Sequence, residues 1–362
     1  MVEIKNYNDC PLSIRAGSYG GKSGLKDGIE INGEYWIAKY PKTTKGMAGE
    51  HLSYTTSPLS EYLGSQIYQA LGFETHETML GLRNNKLVVL CKDFLQDNER
   101  LYEVRTLKNQ ANPKLSKMLE ESFSETSNFI TELREILLHL QYNDILSCVP
   151  GMTERFWDTA IVDILIYNND RNSGNWGIIA QGQNRRIAPV YDNGAAFFNK
   201  MTDEALLENL NHPKEFENKV INAFTAFGWD NKRLSAKKLL QFESKEKEAA
   251  LIRNVPNILA HASDIQSIFC DLPETFEGIS VCSQAQRKVY MEMMNLKMNK
   301  LLIPAYNLYA EKKIDVNTPF LQTEEKYSHI DDLLAEAEKE CKVSQTNDVI
   351  KNLQKDMDRW SG

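Results

Sequence analysis

The chain has 362 residues, is 42% hydrophobic and carries a formal net charge of −8. That is enough apolar material for one large two-lobed domain or two modest ones. The acidic balance argues against sequence-independent nucleic-acid binding, which draws on a basic face, so no direct nucleic-acid partner is expected. Cys10, Cys91, Cys148, Cys270, Cys282 and Cys341 show neither zinc spacing nor a disulfide framework and read as free thiols. No apolar run approaches the roughly 20 residues of a membrane span, and the start lacks a signal-peptide core. The expectation is a cytoplasmic protein with no membrane partner.

The first 95 or so residues read mainly as strands. A short strand over 12–15 leads into Gly17-Ser18-Tyr19-Gly20-Gly21-Lys22-Ser23. Strands over 28–31 and 34–40 then flank Asn32-Gly33, a strong hairpin signal. Alternation places Trp36, Ala38 and Tyr40 on one face of the second strand and Ile37 and Lys39 on the other. Ser57-Pro58 predicts a helix start, with Ser57 as cap, an apolar stripe through Leu59, Leu63, Ile67 and Leu71, Glu61 off that stripe, and Gly72 as terminator. A second hairpin spans 78–91 around Asn84-Asn85. The order strand, Gly-rich turn, hairpin with a lysine, helix with a glutamate, hairpin resembles a nucleotide-binding lobe.

Helices dominate from about residue 97: 127–142, 154–167, 205–210, 213–227, 234–258 with breaks, 285–300, and a charged stretch over 323–360. The helix over 154–167 runs into Tyr167-Asn168-Asn169-Asp170-Arg171-Asn172-Ser173-Gly174-Asn175. A hairpin over 176–191 follows, then Asp192-Asn193-Gly194. Because a hairpin brings its ends together, Asn175 and Asp192 are expected to be neighbours. Two adjacent oxygen ligands suit Mg²⁺ with a nucleotide, and Asp170 is placed to take a proton from an incoming hydroxyl. Taken singly, each tripeptide is an ordinary turn that caps its own backbone; the ordered set downstream of Lys39 and Glu61 favours a kinase site. The Walker A reading of 17–23 fails on spacing, since Ala16 stands where the first glycine belongs. The histidines have no ligand spacing and read as surface or capping residues, and Met291, Met293, Met294 and Met298 as core.

Asn169-Asp170-Arg171 with Asn175, Pro189-Val190-Tyr191-Asp192 and Ser18-Tyr19-Gly20-Gly21 together resemble the HipA-like serine/threonine kinases of the protein-kinase-like fold. The resemblance implies an α+β, two-lobed protein with a small antiparallel β-rich N-lobe (1–96, nucleotide-binding), a larger helical C-lobe carrying the catalytic and metal loops (97–315), and a helical extension (316–362). It implies Asp170 as catalytic base and Asn175 and Asp192 as Mg²⁺ ligands. Lys39, with Glu61 orienting it, and Ser18, Gly20 and Gly21 would bind ATP, and Ser18 would be an autophosphorylation site. Arg171 would be a structural partner of a carboxylate or carbonyl. A protein substrate, an antitoxin-type regulatory partner and a toxin-like role belong to the same expectation. The alternatives are a small-molecule or lipid-headgroup kinase of the same fold, or an ATP-binding pseudokinase acting as an interaction module. The family commonly has His where this chain has Asn172, and its usual N-terminal subdomain is expected to be missing here or supplied by another chain.

Overall fold

A computed structural model describes residues 2–15, 26–45, 52–122 and 131–322. A five-stranded sheet forms from β1 (Lys5–Asn6), β2 (Lys26–Ile31), β3 (Glu34–Lys39), β4 (Thr78–Arg83) and β5 (Lys86–Lys92), in the order β1-β4-β5-β3-β2. All its pairings are antiparallel except β1 with β4. Both predicted hairpins form, with Asn32 and Gly33, and then Asn84 and Asn85, at positive φ as a tight hairpin turn requires. The segment 12–15 is not a strand; only a bridge from Leu12 to Ile29 is made there.

Strand alternation divides the sheet. Ile29, Trp36, Ala38, Val88 and Leu90 join Tyr7 in a small cluster on one face. Ile37, Val89 and Cys91 belong to the main core on the other, against α1 (Ser57–Ala70). Lys39 stands on this second face. Residue Thr56, rather than Ser57, occupies the cap position of α1 and makes no side-chain capping bond. The helix ends at Gly72 as expected, where the Gly72 and Phe73 N–H groups return to the carbonyls of Gln69 and Tyr68.

The remainder is mostly helical: β6 (Arg100–Glu103), α2 (Val104–Leu107), α3 (Pro113–Ser122), β7 (Thr131–Glu132), α4 (Leu133–Tyr142), α5 (Met152–Ile166), β8 (Gly177–Gln181), β9 (Asn184–Ile187), α6 (Asp203–Asn211), α7 (Pro213–Ile221), β10 (Phe224–Trp229), β11 (Lys232–Ser235), α8 (Ala236–Gln241), α9 (Lys245–Ala260), α10 (Ala262–Cys270), β12 (Thr275–Phe276), β13 (Ile279–Ser280), α11 (Gln284–Lys297) and α12 (Ile303–Tyr309). Helix α5 is buried on nearly every side and packs against α9, so the segment leading into the Asp170 loop is among the most enclosed in the molecule. Among the described residues, no helix is long and apolar enough to cross a membrane.

Three expectations change. The helix expected over 127–142 begins only at Leu133, because Thr131 and Glu132 pair with β10; residues 123–130 lie outside the described residues. The helix expected over 213–227 stops at Ile221, and the aromatic run 224–229 instead forms a hairpin with β11, turning at Asp230 and Asn231, both at positive φ. His76 and His139 are buried rather than on the surface. The four methionines are core as expected, and Cys10, Cys91, Cys148 and Cys282 are free thiols; Cys341 and the charged stretch from 323 onward lie outside the described residues.

Lys297 is buried at 1% exposure with its ammonium 4.9 Å from the centre of the Tyr167 ring, and burial lowers its pKa to about 7. Between about pH 7 and pH 10.5 the unfolded chain therefore binds the extra proton, so stability rises with pH across that window and the full cost of the charge falls below it. Lys297→Met is expected to raise the melting temperature by a few degrees at about pH 6 and by much less at about pH 10. Equal shifts at both pH values in a calorimetric scan would contradict this.

Candidate active site

Three segments meet at Lys39. Its Nζ lies 3.2 Å from Glu61 Oε2 on α1 and 3.1 Å from Asp192 Oδ1 in the loop after β9. Burial disfavours the ammonium, yet the Asp192 and Glu61 carboxylates outweigh it and hold the Lys39 pKa above its ordinary value. Glu61 is 1% exposed. Burial alone would raise its pKa; the Lys39 charge, His76 and the Asn193 N–H overcome that and hold it below the usual carboxylate range. Directly across the β2–β3 ladder from Lys39 stands Lys26, whose pKa is lowered by burial and by the Lys39 charge. Paired residues of an antiparallel ladder share a face, so two lysines point to one place.

The loop carrying Asp170 is anchored from behind. Tyr167 closes α5 at φ 57, its N–H returning to the carbonyls of Asp163 and Ile164. Arg171 then folds back into the core. Its guanidinium donates to both Asp163 oxygens (2.9 and 3.1 Å), to the carbonyls of Asn175 (3.1 Å) and Tyr191 (2.6 Å), and to Asn193 Oδ1 (2.5 Å). One side chain thus ties the end of α5 to both polar loops. Asp163 also accepts from Tyr68 OH (2.8 Å) and Asn168 Nδ2 (3.1 Å). Burial opposes the Arg171 charge, but Asp163 more than compensates and its pKa is raised. The expected structural role of Arg171 is what the contacts show.

Asp170 itself is exposed at the mouth of this anchored loop. Asn172 Nδ2 donates to its Oδ1 (2.9 Å), and Asn172 Oδ1 accepts from the Gly174 N–H (2.8 Å). Asn172 therefore holds the Asp170 carboxylate while bracing the turn. Asn175 Nδ2 donates to the Asp170 carbonyl (2.6 Å), which leaves the Asn175 amide oxygen as the acceptor of that side chain. Asp192 sits at φ 59, a conformation that Asp tolerates better than most residues and that is held by the contacts on either side of it. Oxygen donors from Asn175 and Asp192 are the hard ligands Mg²⁺ takes.

Asp192 and Asn193 reach the N-lobe because α1 lets them approach. A Cβ built on Gly64 would stand 2.7 Å from the Asn193 Cβ, closer than any side chain allows. The hairpin expected over 176–191 is shorter, because β9 ends at Ile187. Beyond it the chain pairs through Val190 with Thr75, and Arg171 spans from the Asn175 carbonyl to that of Tyr191. Ser18, Gly20 and Gly21 lie outside the described residues. Missed from sequence were Asp163, hidden in an apolar helix; Asn193, one residue past Asp192; and His76. Which lysine besides Lys39 contacts phosphate is open from the sequence, and the place of Lys26 opposite Lys39 is legible only through the register across Asn32-Gly33.

Removing one partner of a buried charge pair leaves the other uncompensated. Arg171→Met is accordingly expected to cost about 3–5 kcal/mol in urea unfolding, against less than about 1 kcal/mol for the more exposed pair partner Arg253→Met. Comparable small losses for both would show that Arg171 does not hold the loops.

No family model matches the chain. It is 27% identical over 316 residues, 84% of this chain and 89% of the relative, to the serine/threonine-protein kinase CtkA of Helicobacter pylori. The crystal structure of a Helicobacter pylori proinflammatory kinase CtkA aligns with a TM-score of 0.70 at 26% identity, covering 85% of this chain and 99% of that one. HipA of Shewanella oneidensis, solved with HipB and operator DNA, aligns at a TM-score of 0.44 and 10% identity, covering 88% of this chain and 68% of that one. With CtkA matching over most of both chains, this protein is a phosphotransferase similar to that serine/threonine kinase and built on the same two-lobed protein-kinase-like fold.

Proposed function

We propose that the protein is an ATP- and Mg²⁺-dependent protein kinase that transfers the γ-phosphate to a serine or threonine hydroxyl. The observation that carries this reading is Lys39 held between Glu61 and Asp192, at 3.2 and 3.1 Å, beside the anchored Asp170 loop. In this reading residues 1–96 bind the nucleotide and 97–315 carry the catalytic and metal loops. Lys39 neutralises phosphate charge, Glu61 orients it, and Lys26 adds a second cation. By resemblance to the family's phosphate loop, Ser18, Gly20 and Gly21 would contribute to ATP binding, with the Gly20 and Gly21 amides assigned to the phosphates.

Asn175 and Asp192 would hold Mg²⁺, which supplies charge neutralisation on the phosphates when bound. Asp170 accepts the proton of the acceptor hydroxyl as its oxygen bonds to the γ-phosphorus, while the bond to the bridging β–γ oxygen breaks and ADP leaves. Exposure of Asp170 at the loop mouth fits a bulky acceptor, and Asn172 fixes which carboxylate oxygen faces it. Family resemblance adds three finer assignments: autophosphorylation at Ser18, a toxin-like regulatory role, and restraint by an antitoxin-type partner.

Incubation with ATP and Mg²⁺ followed by mass spectrometry is expected to place phosphate on Ser18. Purified Asp170→Asn and Asp192→Asn are expected to lose self-labelling by at least about 1,000-fold while melting within a few degrees of the parent. Labelling retained by either folded variant would sink the assignment. ATP binding by the parent without any transfer would instead point to a pseudokinase, and transfer to small hydroxyl compounds but not to peptides would point to a small-molecule kinase.

A further inference from the structure

We propose that His76 is a positioning residue for phosphate transfer, holding Glu61 in the orientation that presents Lys39 to the nucleotide. The inference rests on the reading of Lys39 as the phosphate contact. His76 lies between α1 and β4 at 4% exposure. Its Nε2 is 3.1 Å from Glu61 Oε1 and 3.0 Å from Ser65 Oγ. A carboxylate oxygen only accepts, so Nε2 carries the hydrogen whether the ring is charged or neutral.

The two oxygens of Glu61 are thereby divided. Oε1 accepts from His76 and from the Asn193 N–H at 3.0 Å, and Oε2 is left to face Lys39 at 3.2 Å. Ser65 Oγ meanwhile accepts from Asn193 Nδ2 at 3.0 Å, so His76, Ser65 and Asn193 form one buried bracket around the carboxylate. The bracket is tied to the metal loop as well. The backbone N–H of His76 donates to the Val190 carbonyl at 3.2 Å, and Thr75 pairs with Val190, two residues before Asp192. Position 76 thus joins the segment that leads to Asp192 through its backbone and Glu61, which faces Lys39, through its ring. An apolar side chain would fill the same space but leave Oε1 one donor short, and a buried carboxylate lacking a donor reorients or takes up a proton.

The test compares His76→Leu, which removes the donor, with His76→Gln, whose terminal amide reaches about as far as Nε2 and can donate. Phosphate transfer and ATP affinity by titration calorimetry are read in both, with thermal unfolding to confirm folding. His76→Leu is expected to raise the KM for ATP and lower kcat/KM by about 10- to 100-fold, and His76→Gln to recover to within about threefold of the parent. In a Glu61→Gln background, His76→Leu is expected to have almost no further effect on ATP affinity, because its influence runs through that carboxylate. Should His76→Leu not fold, His76→Asn takes its place, since it shortens the donor's reach while staying polar.

Parent-like kinetics in the Leu or Asn variant overturn the proposal, as do equal losses in the Gln variant or losses that multiply with Glu61→Gln. Lys39→Met, run in parallel, separates the two readings. If it leaves the ATP KM unchanged, the phosphate role of Lys39 falls and the role of His76 with it. If it raises KM while His76→Leu does not, only the role of His76 falls.

Discussion

A buried guanidinium sets the geometry on which the site depends. Arg171 is 3% exposed and reaches Asp163 in α5, the Asn175 carbonyl in its own loop, and both Tyr191 and Asn193 in the Asp192 loop. Taking such a charge out of water costs several kcal/mol, so it persists only where every donor is matched. Here the matching groups belong to three segments, the end of α5, the Asp170 loop and the Asp192 loop. Arg171 thereby anchors the loop between Tyr167 and Asn175 from behind, and Asp170 stands exposed on that anchored loop. Positioning of this kind is where phosphoryl transfer draws most of its acceleration, since little covalent chemistry falls to the protein.

Glu61 plays the matching part across the lobes. It is fixed from one side by Asn193 and His76 and faces Lys39 on the other. Asn193 belongs to both brackets, because its side-chain oxygen accepts from Arg171 while its N–H reaches Glu61. The anchored catalytic loop and the lysine-bearing sheet are therefore joined through one fully buried asparagine. In the proposed reading, an anionic phosphate with its cation would exchange charge with Asp192 and Lys39 without leaving either unmatched.

Much of this was legible where local chemistry decides structure. The turns at Asn32-Gly33 and Asn84-Asn85 set both hairpins, and with them the face on which Lys39 stands. The Asp170 and Asp192 loops were visible because Asp, Asn and Gly interrupt apolar runs. What was not legible depends on distant partners. Asp163 reads as a stray polar residue in an apolar helix until Arg171 folds onto it. Glu61 lies off the apolar stripe, yet it is buried because a second segment covers that side of α1. Residues 224–229 continue a helical pattern on paper, but their aromatic content and the Asp230-Asn231 turn make a hairpin that β7 completes. His76 gave no signal, because its role comes from three contacts set by the fold.

The central claim is that Asn175 and Asp192 present a Mg²⁺ site to a nucleotide held by Lys39. Titration calorimetry of ATP into the parent and into Asp192→Ala, each with and without Mg²⁺, tests it most directly. The account predicts that Mg²⁺ tightens ATP binding by at least about tenfold in the parent and hardly at all in the variant. Equal affinities with and without Mg²⁺ in the parent, or an undiminished Mg²⁺ effect in the variant, would contradict it.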